Sequence, residues 1–288
     1  MQPDTLGFAG LGRMGGPMSR RLVEAGYPLL GFDVAGTSER LPDGADAAES
    51  IADLAARVDL LLLSVPDGAA SREICRQIAA TTDRRVRVLI DLSTIGIAAA
   101  RQCAATLEPA GVAYVDAPVS GGVAGAVSGS LALMAGTTEA LFAEMEPVLT
   151  VLARNRFRVG DEPGHGQAMK LVNNYASAAA LAATAEATVF GARMGLDLAT
   201  MVEILNVSSG RSTASEDKFP RAVVTGTYDF GFPGAGMAKD VRLYLESAVA
   251  AEVPHDLADT VAALWKQFSA AQPEADLTAI HRYFEQGG

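Results

Sequence analysis

The sequence predicts an α/β fold, a doubly wound parallel sheet followed by an all-α C-terminal domain. Three observations carry this. Short apolar runs alternate with helix-length segments over the first half of the 288 residues. Those runs are continuous rather than alternating, as strands buried on both faces of a parallel sheet require. Past Gly160 the strand patterns stop, and alanine-rich helical ones take over. The length suits two domains, 1–162 and 163–288.

Taken in order, Leu6–Ala9 reads as a strand, Met14–Ala25 as a helix and Leu29–Phe32 as a second strand. Asp59–Val65, Val86–Leu92 and Val112–Asp116 follow as strands, with helix-length crossovers between them. Leu131–Ala135 and Phe157–Val159 flank a helix over Glu139–Leu152. Pro163, Gly164 and Gly166 open a long helix, Gln167–Met194, which joins the domains without a flexible linker. Leu198–Asn206, Ala238–Ala251 and Leu257–Ala270 complete the helical half. The stretch Tyr175–Ala187 is apolar on nearly every face and is expected to be buried all round. One domain rarely buries such a helix, so a homo-oligomer, dimer or tetramer, is expected.

Composition excludes several classes. A net charge of −11 argues against nucleic-acid or anionic-membrane binding, which need a basic footprint. No apolar run is long enough to span a bilayer, and MQPDTLGFAG lacks the basic-then-apolar pattern of a leader. Cys75 and Cys103 cannot build a disulfide framework, so a cytoplasmic protein is expected. His165, His255 and His281 lie far apart, so no metal site is expected and all three read as structural. Only four of the 23 basic residues are lysines (Lys170, Lys218, Lys239 and Lys266), and an ammonium can lose a proton where a guanidinium cannot.

Gly10-Leu11-Gly12-Arg13-Met14-Gly15 is G-x-G-x-x-G, set directly after a strand and opening a helix. Gly10 permits the tight turn, Gly12 lets backbone approach a pyrophosphate at the helix N-terminus, and Gly15 permits close helix–strand packing. Eighteen residues beyond Gly15, Asp33 ends the second strand, placed to accept from ribose hydroxyls. The context makes this a Rossmann-type dinucleotide site. A carboxylate at Asp33 repels a 2′-phosphate, favouring NAD over NADP. Arg40 is near enough in sequence to serve NADP, but reads better as a solvated charge.

With that signature in place the chain resembles the β-hydroxyacid dehydrogenases, the group of 3-hydroxyisobutyrate dehydrogenase and tartronate semialdehyde reductase. The resemblance rests on GFAGLGRMGGPMSRRL, on Asp91-Leu92-Ser93-Thr94, on Asp116-Ala117-Pro118-Val119-Ser120-Gly121-Gly122, on the run from Gly164 to Asn174, and on Met237-Ala238-Lys239-Asp240. It implies NAD(P)-dependent oxidation of a small anionic 3-hydroxy acid, or reduction of its semialdehyde. It further implies nicotinamide-side contacts from Val65, Pro66 and Thr94, and a second functional lysine in Lys239. After D-x-S-T many relatives continue with Ser-Pro, whereas this chain has Ile95-Gly96-Ile97, which implies a looser or reshaped turn.

Lys170 is the candidate general base, its ammonium disfavoured by an apolar setting and its pKa expected to be lowered. Asn174 shares its helix face at i+4, and Asn173 is nearly as close at i+3; spacing does not choose between them, and the family pattern selects Asn174. Ser120, Gly121 and Gly122 suit a carboxylate, offering a hydroxyl and close-approach amides. Arg211 reads as a surface ion pair more readily than as a second anion anchor. Two alternatives stand beside the dehydrogenase. Imine reductases share the fold but generally depart from Lys at the catalytic position, and a non-catalytic dinucleotide binder has no need of Lys170, Asn174 and the Ser-Gly-Gly loop together.

Overall fold

A computed structural model describes residues 5–287. The leader reading over Met1–Asp4 lies outside them. The chain divides into two compact units, Met1–Lys170 and Leu171–Gly288.

The first unit is built on one nine-stranded sheet. In chain order it runs β1 (Leu6–Ala9), α1 (Gly15–Glu24), β2 (Leu29–Phe32), β3 (Asp46–Ala47), α2 (Ile51–Arg57), β4 (Leu60–Leu63), α3 (Gly68–Ala80), β5 (Val88–Asp91) and α4 (Ile97–Leu107). Then come β6 (Ala113–Asp116), β7 (Val119–Ser120), α5 (Gly122–Ser128), β8 (Ala132–Gly136), α6 (Glu139–Leu152), β9 (Asn155–Gly160) and the start of α7 (His165–Arg193). The strand order β3-β2-β1-β4-β5-β6-β8-β7, with β9 on β8, is parallel from β3 through β6. The succession of strands runs outward from β1 to β3 on one side and from β4 to β6 on the other, so the gap between β1 and β4 is the switch point where open α/β sheets bind ligands.

The continuous apolar runs are explained by burial on both faces. Leu60 and Leu62 of β4 join Phe8, Ile90 and Val115 in one core layer. Leu61 and Leu63 join Ala9, Leu89 and Tyr114 in the other. Register then does the functional work: Ala9 lies opposite Leu63, Leu63 opposite Asp91 and Asp91 opposite Asp116. Segments far apart in sequence therefore end in one row.

The second unit is helical: the rest of α7, α8 (Leu198–Asn206), a π-helical segment Ala214–Val223, α9 (Gly234–Ala250), α10 (Asp256–Ala271) and α11 (Ile280–Glu285). Its core centres on Trp265, Phe219, Phe268, Leu181 and Val241. The single chain does not by itself bury the stretch Tyr175–Ala187 of α7 on every side. Leu171, Ala178, Leu181 and Ala185 are buried, but Val172 (51%) and Phe190 (66%) stand exposed, with Ala176, Ala183 and Ala187 between them on the same helical face. Among the described residues no helix is long and apolar enough to cross a membrane.

Candidate active site

The glycine-rich turn closes β1 against α1. Gly10 has φ +87°, a backbone region that side chains disfavour. The first turn of α1 has no side-chain cap and no acidic residue, so its positive end is open to an anion. Gly12 has open space where a side chain would project. This cradle fits a dinucleotide pyrophosphate. Leu11, Arg13 and Met14 complete it, with Leu11 buried and Arg13 exposed.

Asp33 directly follows β2, nine-tenths buried. Its Oδ2 accepts from the Leu11 amide at 2.7 Å and its Oδ1 from the Ala35 amide at 2.8 Å. Arg40 lies 3.8 Å from Oδ2. The carboxylate thus ties the glycine-rich turn to the second strand, a task that the sequence reading did not give it.

Beyond β4, the Val65 amide donates to Ser93 Oγ at 2.8 Å, with Pro66 following at the surface. Beyond β5, Asp91 Oδ1 accepts from the Ser93 amide at 2.9 Å and its Oδ2 from Tyr114 Oη at 3.1 Å. Thr94 follows, half-buried, and Gly96 takes φ +86° as α4 begins. Gln167 of α7 holds the turn, so it is not loose. Gln167 Oε1 accepts from the Ile95 amide at 2.9 Å and the Gly96 amide at 3.1 Å, while Nε2 donates to the Ser93 carbonyl at 2.9 Å.

Beyond β6, Asp116 is fully buried and caps the start of α7, accepting from the amides of Gly164 at 2.8 Å and Gln167 at 2.7 Å. Gly166 must lack a side chain, since a Cβ there would press on the Asp116 carboxylate and the Met134 carbonyl. Burial pushes the Asp116 carboxyl up to about 7, against the pull of those two amides, and burial raises Asp91 as well. The folded chain therefore holds protons that the unfolded chain has released, so stability falls as pH rises from about 4 to about 7. Asp116→Asn should flatten that slope. Thermal unfolding followed across this range tests it, and parallel slopes in the two proteins would remove the buried carboxyl as its source.

Ser120, Gly121 and Gly122 lie where β7 meets α5, with Gly121 at φ +126° and Gly122 at φ +61°. Lys170, on the second turn of α7, is 7% exposed. Within the helical unit, Asn174 Nδ2 donates to Asp240 Oδ2 at 2.6 Å, and Asn174 Oδ1 accepts from Asn173 Nδ2 at 3.0 Å. Lys239 Nζ stands 3.4 Å from Asp240 Oδ1. Asp240, 2% exposed, thus organises both Asn174 and Lys239. Like Gln167 and Asp116, it lies inside a quoted motif yet drew no role from sequence. The available signal was its type, a carboxylate or amide in a segment otherwise built for burial.

The remaining candidates separate cleanly. Arg211 pairs with Glu216 at 3.6 Å on the surface. His255 meets Asp259 at 2.8 Å, and buried His281 lies 3.3 Å from Tyr228 Oη. Lys218, to which the sequence assigned nothing, is 7% exposed beside Thr213 Oγ1 (3.4 Å) and the Phe230 ring (5.5 Å), and burial lowers its pKa. Among the described residues no three His, Cys, Asp or Glu side chains converge to hold a metal.

A family model for the NAD-binding domain of 6-phosphogluconate dehydrogenase matches residues 5–160. A second, described as the NAD-binding region of NADP-dependent 3-hydroxyisobutyrate dehydrogenase, matches 164–284. The 2-(hydroxymethyl)glutarate dehydrogenase of Eubacterium barkeri is 33% identical over 286 residues, covering 98% of this chain and 95% of that protein. This chain belongs to the β-hydroxyacid dehydrogenase family. As a member it is a nicotinamide-dependent oxidoreductase. The structure of 3-hydroxyisobutyrate dehydrogenase from Mycobacterium tuberculosis with L-serine is 30% identical, with a TM-score of 0.89 over 97% of this family member and 98% of that chain. An imine reductase variant from Myxococcus stipitatus with NAD+ shares the fold at 22% identity, with a TM-score of 0.67 over 99% of each chain.

Proposed function

We propose that this family member catalyses the reversible, NAD-linked oxidation of a short 3-hydroxy acid to its semialdehyde, with Lys170 as general base and, in the return direction, general acid. The observation that carries the reading is the seating of Lys170. It is nine-tenths buried, on a helix whose first turn is bound through Asp116 and Gln167 to the carboxyl ends of β5 and β6. In this reading Gly10–Gly15 hold the pyrophosphate, Asp33 the adenosine ribose, and Val65, Pro66 and Thr94 the nicotinamide side. NAD, when bound, accepts the hydride.

Lys170 takes the substrate hydroxyl proton. Asn174 steadies the hydroxyl and the ammonium: its Nδ2 is committed to Asp240, and its Oδ1 keeps a lone pair beyond the one given to Asn173. Ser120 and the amides of Gly121 and Gly122 anchor the substrate carboxylate, and the open space above Gly122 supports a close approach. Lys239, organised by Asp240, adds positive charge for cofactor or substrate. 2-(Hydroxymethyl)glutarate, 3-hydroxyisobutyrate and L-serine each carry a hydroxymethyl group on the carbon that bears a carboxylate. That shared unit is the substrate class we infer. A screen of such acids with NAD and NADP tests it, and the reading falls if none is oxidised with either cofactor.

NAD is the favoured cofactor. A 2′-phosphate would meet the Asp33 carboxylate, and Arg40 is already drawn towards that charge. Because Asp33 also holds the Leu11 amide, the informative change is Asp33→Asn, which keeps an acceptor while removing the charge. It should narrow the NAD/NADP ratio of kcat/KM by about tenfold, the worth of about 1.4 kcal/mol. An unchanged ratio would count against Asp33 as the discriminating group.

The exposed apolar face of α7, from Val172 to Phe190, supports assembly as a homo-oligomer. A single-chain mass by light scattering would oppose it. Two buried free thiols, Cys75 and Cys103, support a reducing, cytoplasmic setting.

A further inference from the structure

Gln167 binds the turn after β5 from α7 with three side-chain hydrogen bonds. Its Oε1 faces two successive amides, Ile95 and Gly96, and its Nε2 faces the Ser93 carbonyl. Two donors on one side and a carbonyl on the other leave the amide a single orientation. The residue is fully buried, and its own backbone amide is held by Asp116 Oδ2 at 2.7 Å. It is therefore gripped at main chain and side chain at once. Thr94 lies within the tripled contact, between Ser93 and Ile95, and three residues after Gln167 on the same helix lies Lys170. An apolar residue of the same length would leave the Ile95 and Gly96 amides and the Ser93 carbonyl without this partner, so the contact stabilises the turn while joining the segments of Thr94 and Lys170.

We propose that Gln167 is a positioning residue for the reaction: its amide sets the spacing between the turn that carries Thr94 and the helix turn that carries Lys170. The proposal rests on the reading of Lys170 as base and Thr94 as a nicotinamide-side contact. Oxidation requires the proton acceptor and the nicotinamide side to be held in register to a fraction of an ångström, and a displacement of about 1 Å can cost a hundredfold in rate. Three hydrogen bonds with one orientation supply that register. A methionine at 167 would keep the bulk and remove all three. A glutamate would keep the acceptor for Ile95 and Gly96 but place a second oxygen against the Ser93 carbonyl. Protonation of that oxygen recreates the donor.

The test uses the full chain with Gln167→Met and Gln167→Glu. In Gln167→Met, kcat at saturating substrate and cofactor should fall by about ten- to a hundredfold, with the Kd for NAD, read by fluorescence titration, within about threefold of wild type. In the same protein without cofactor, hydrogen exchange should quicken over residues 93–97 and remain as in wild type over the glycine-rich turn at 10–15. For Gln167→Glu the ratio of its kcat to that of wild type should rise as pH falls, because protonation of the introduced carboxylate restores the donor while the titration of Lys170 is common to both proteins. Unchanged kcat in both variants, or a Gln167→Glu pH profile parallel to that of wild type, overturns the proposal. So does a loss of rate matched by an equal loss of NAD affinity. If Gln167→Met does not fold, the pH profile of Gln167→Glu decides alone. Wild type that oxidises no 3-hydroxy acid overturns the underlying reading, whereas active wild type with unaffected variants overturns this proposal only.

Discussion

Lys170→Arg is expected to keep NAD affinity within about threefold of wild type while kcat falls by about a hundred- to ten-thousand-fold, the range that positioned acid–base groups contribute. The physical reason is specific to the swap. Positive charge is kept, but a guanidinium does not deprotonate at working pH, so it cannot take the hydroxyl proton. Lys170 is also nearly sealed from water, which leaves little room for solvent to act in its place. The bulkier guanidinium could lower the rate by crowding alone, so Lys170→Met is the companion measurement. It is uncharged and slimmer, and it should lose turnover to a similar extent. Turnover within tenfold of wild type in either variant would dismiss Lys170 as the proton acceptor. Loss of NAD binding in step with turnover would instead make it a cofactor anchor.

The second large effect comes from the glycine-rich turn, where two glycines should fail for different reasons. A Cβ on Gly15 would collide with the Gly10 carbonyl oxygen and press on Phe8, both rigid parts of the first unit. Gly15→Ala should therefore destabilise the fold itself by several kcal/mol, on the scale of backbone strain combined with overpacking. Thermal unfolding should show a drop of about ten degrees or more. Gly12→Ala meets nothing within 4 Å, so its unfolding temperature should stay near that of wild type. Its NAD affinity should nevertheless fall by tenfold or more, because the methyl group occupies the approach of the pyrophosphate to backbone amides. Equal unfolding temperatures for the two variants would contradict the geometry of the turn. Full NAD affinity in Gly12→Ala would contradict the assigned cradle.

Much of this architecture is legible without coordinates, for identifiable reasons. Helices α6 and α8 are predicted residue for residue, since each starts at a capping residue, Thr138 or Asp197, and carries a clear apolar period. The strands β1 and β4 announce themselves as four-residue apolar runs, and β5 and β6 as three such residues closed by Asp91 and Asp116. The π-helical segment Ala214–Val223 was not legible. It contains Pro220 and four charged residues, and packing rather than local preference buries Lys218 and Phe219 within it. The exposed face of α7 was not legible either, for the opposite reason. Alanine-rich sequence looks buried on every side, yet composition does not say which side has a neighbour.

What the sequence by itself determined is the chemistry on offer and its order: the dinucleotide turn, the strand ends, Lys170 with Asn174 four residues on, and the Lys239-Asp240 pair. These are local in the chain, governed by backbone conformation and helical spacing, so sequence suffices to read them. Only the tertiary structure decided the partners. That Asp33 holds the Leu11 amide, that Asp116 caps α7, that Gln167 clamps the turn of Ser93 and Gly96, and that Asp240 orients Asn174 are contacts between residues 22 to 74 positions apart. Sheet register and the packing of one buried element on another set such distances. A buried carboxylate or amide reveals in sequence only that it must find a partner, and folding alone selects which.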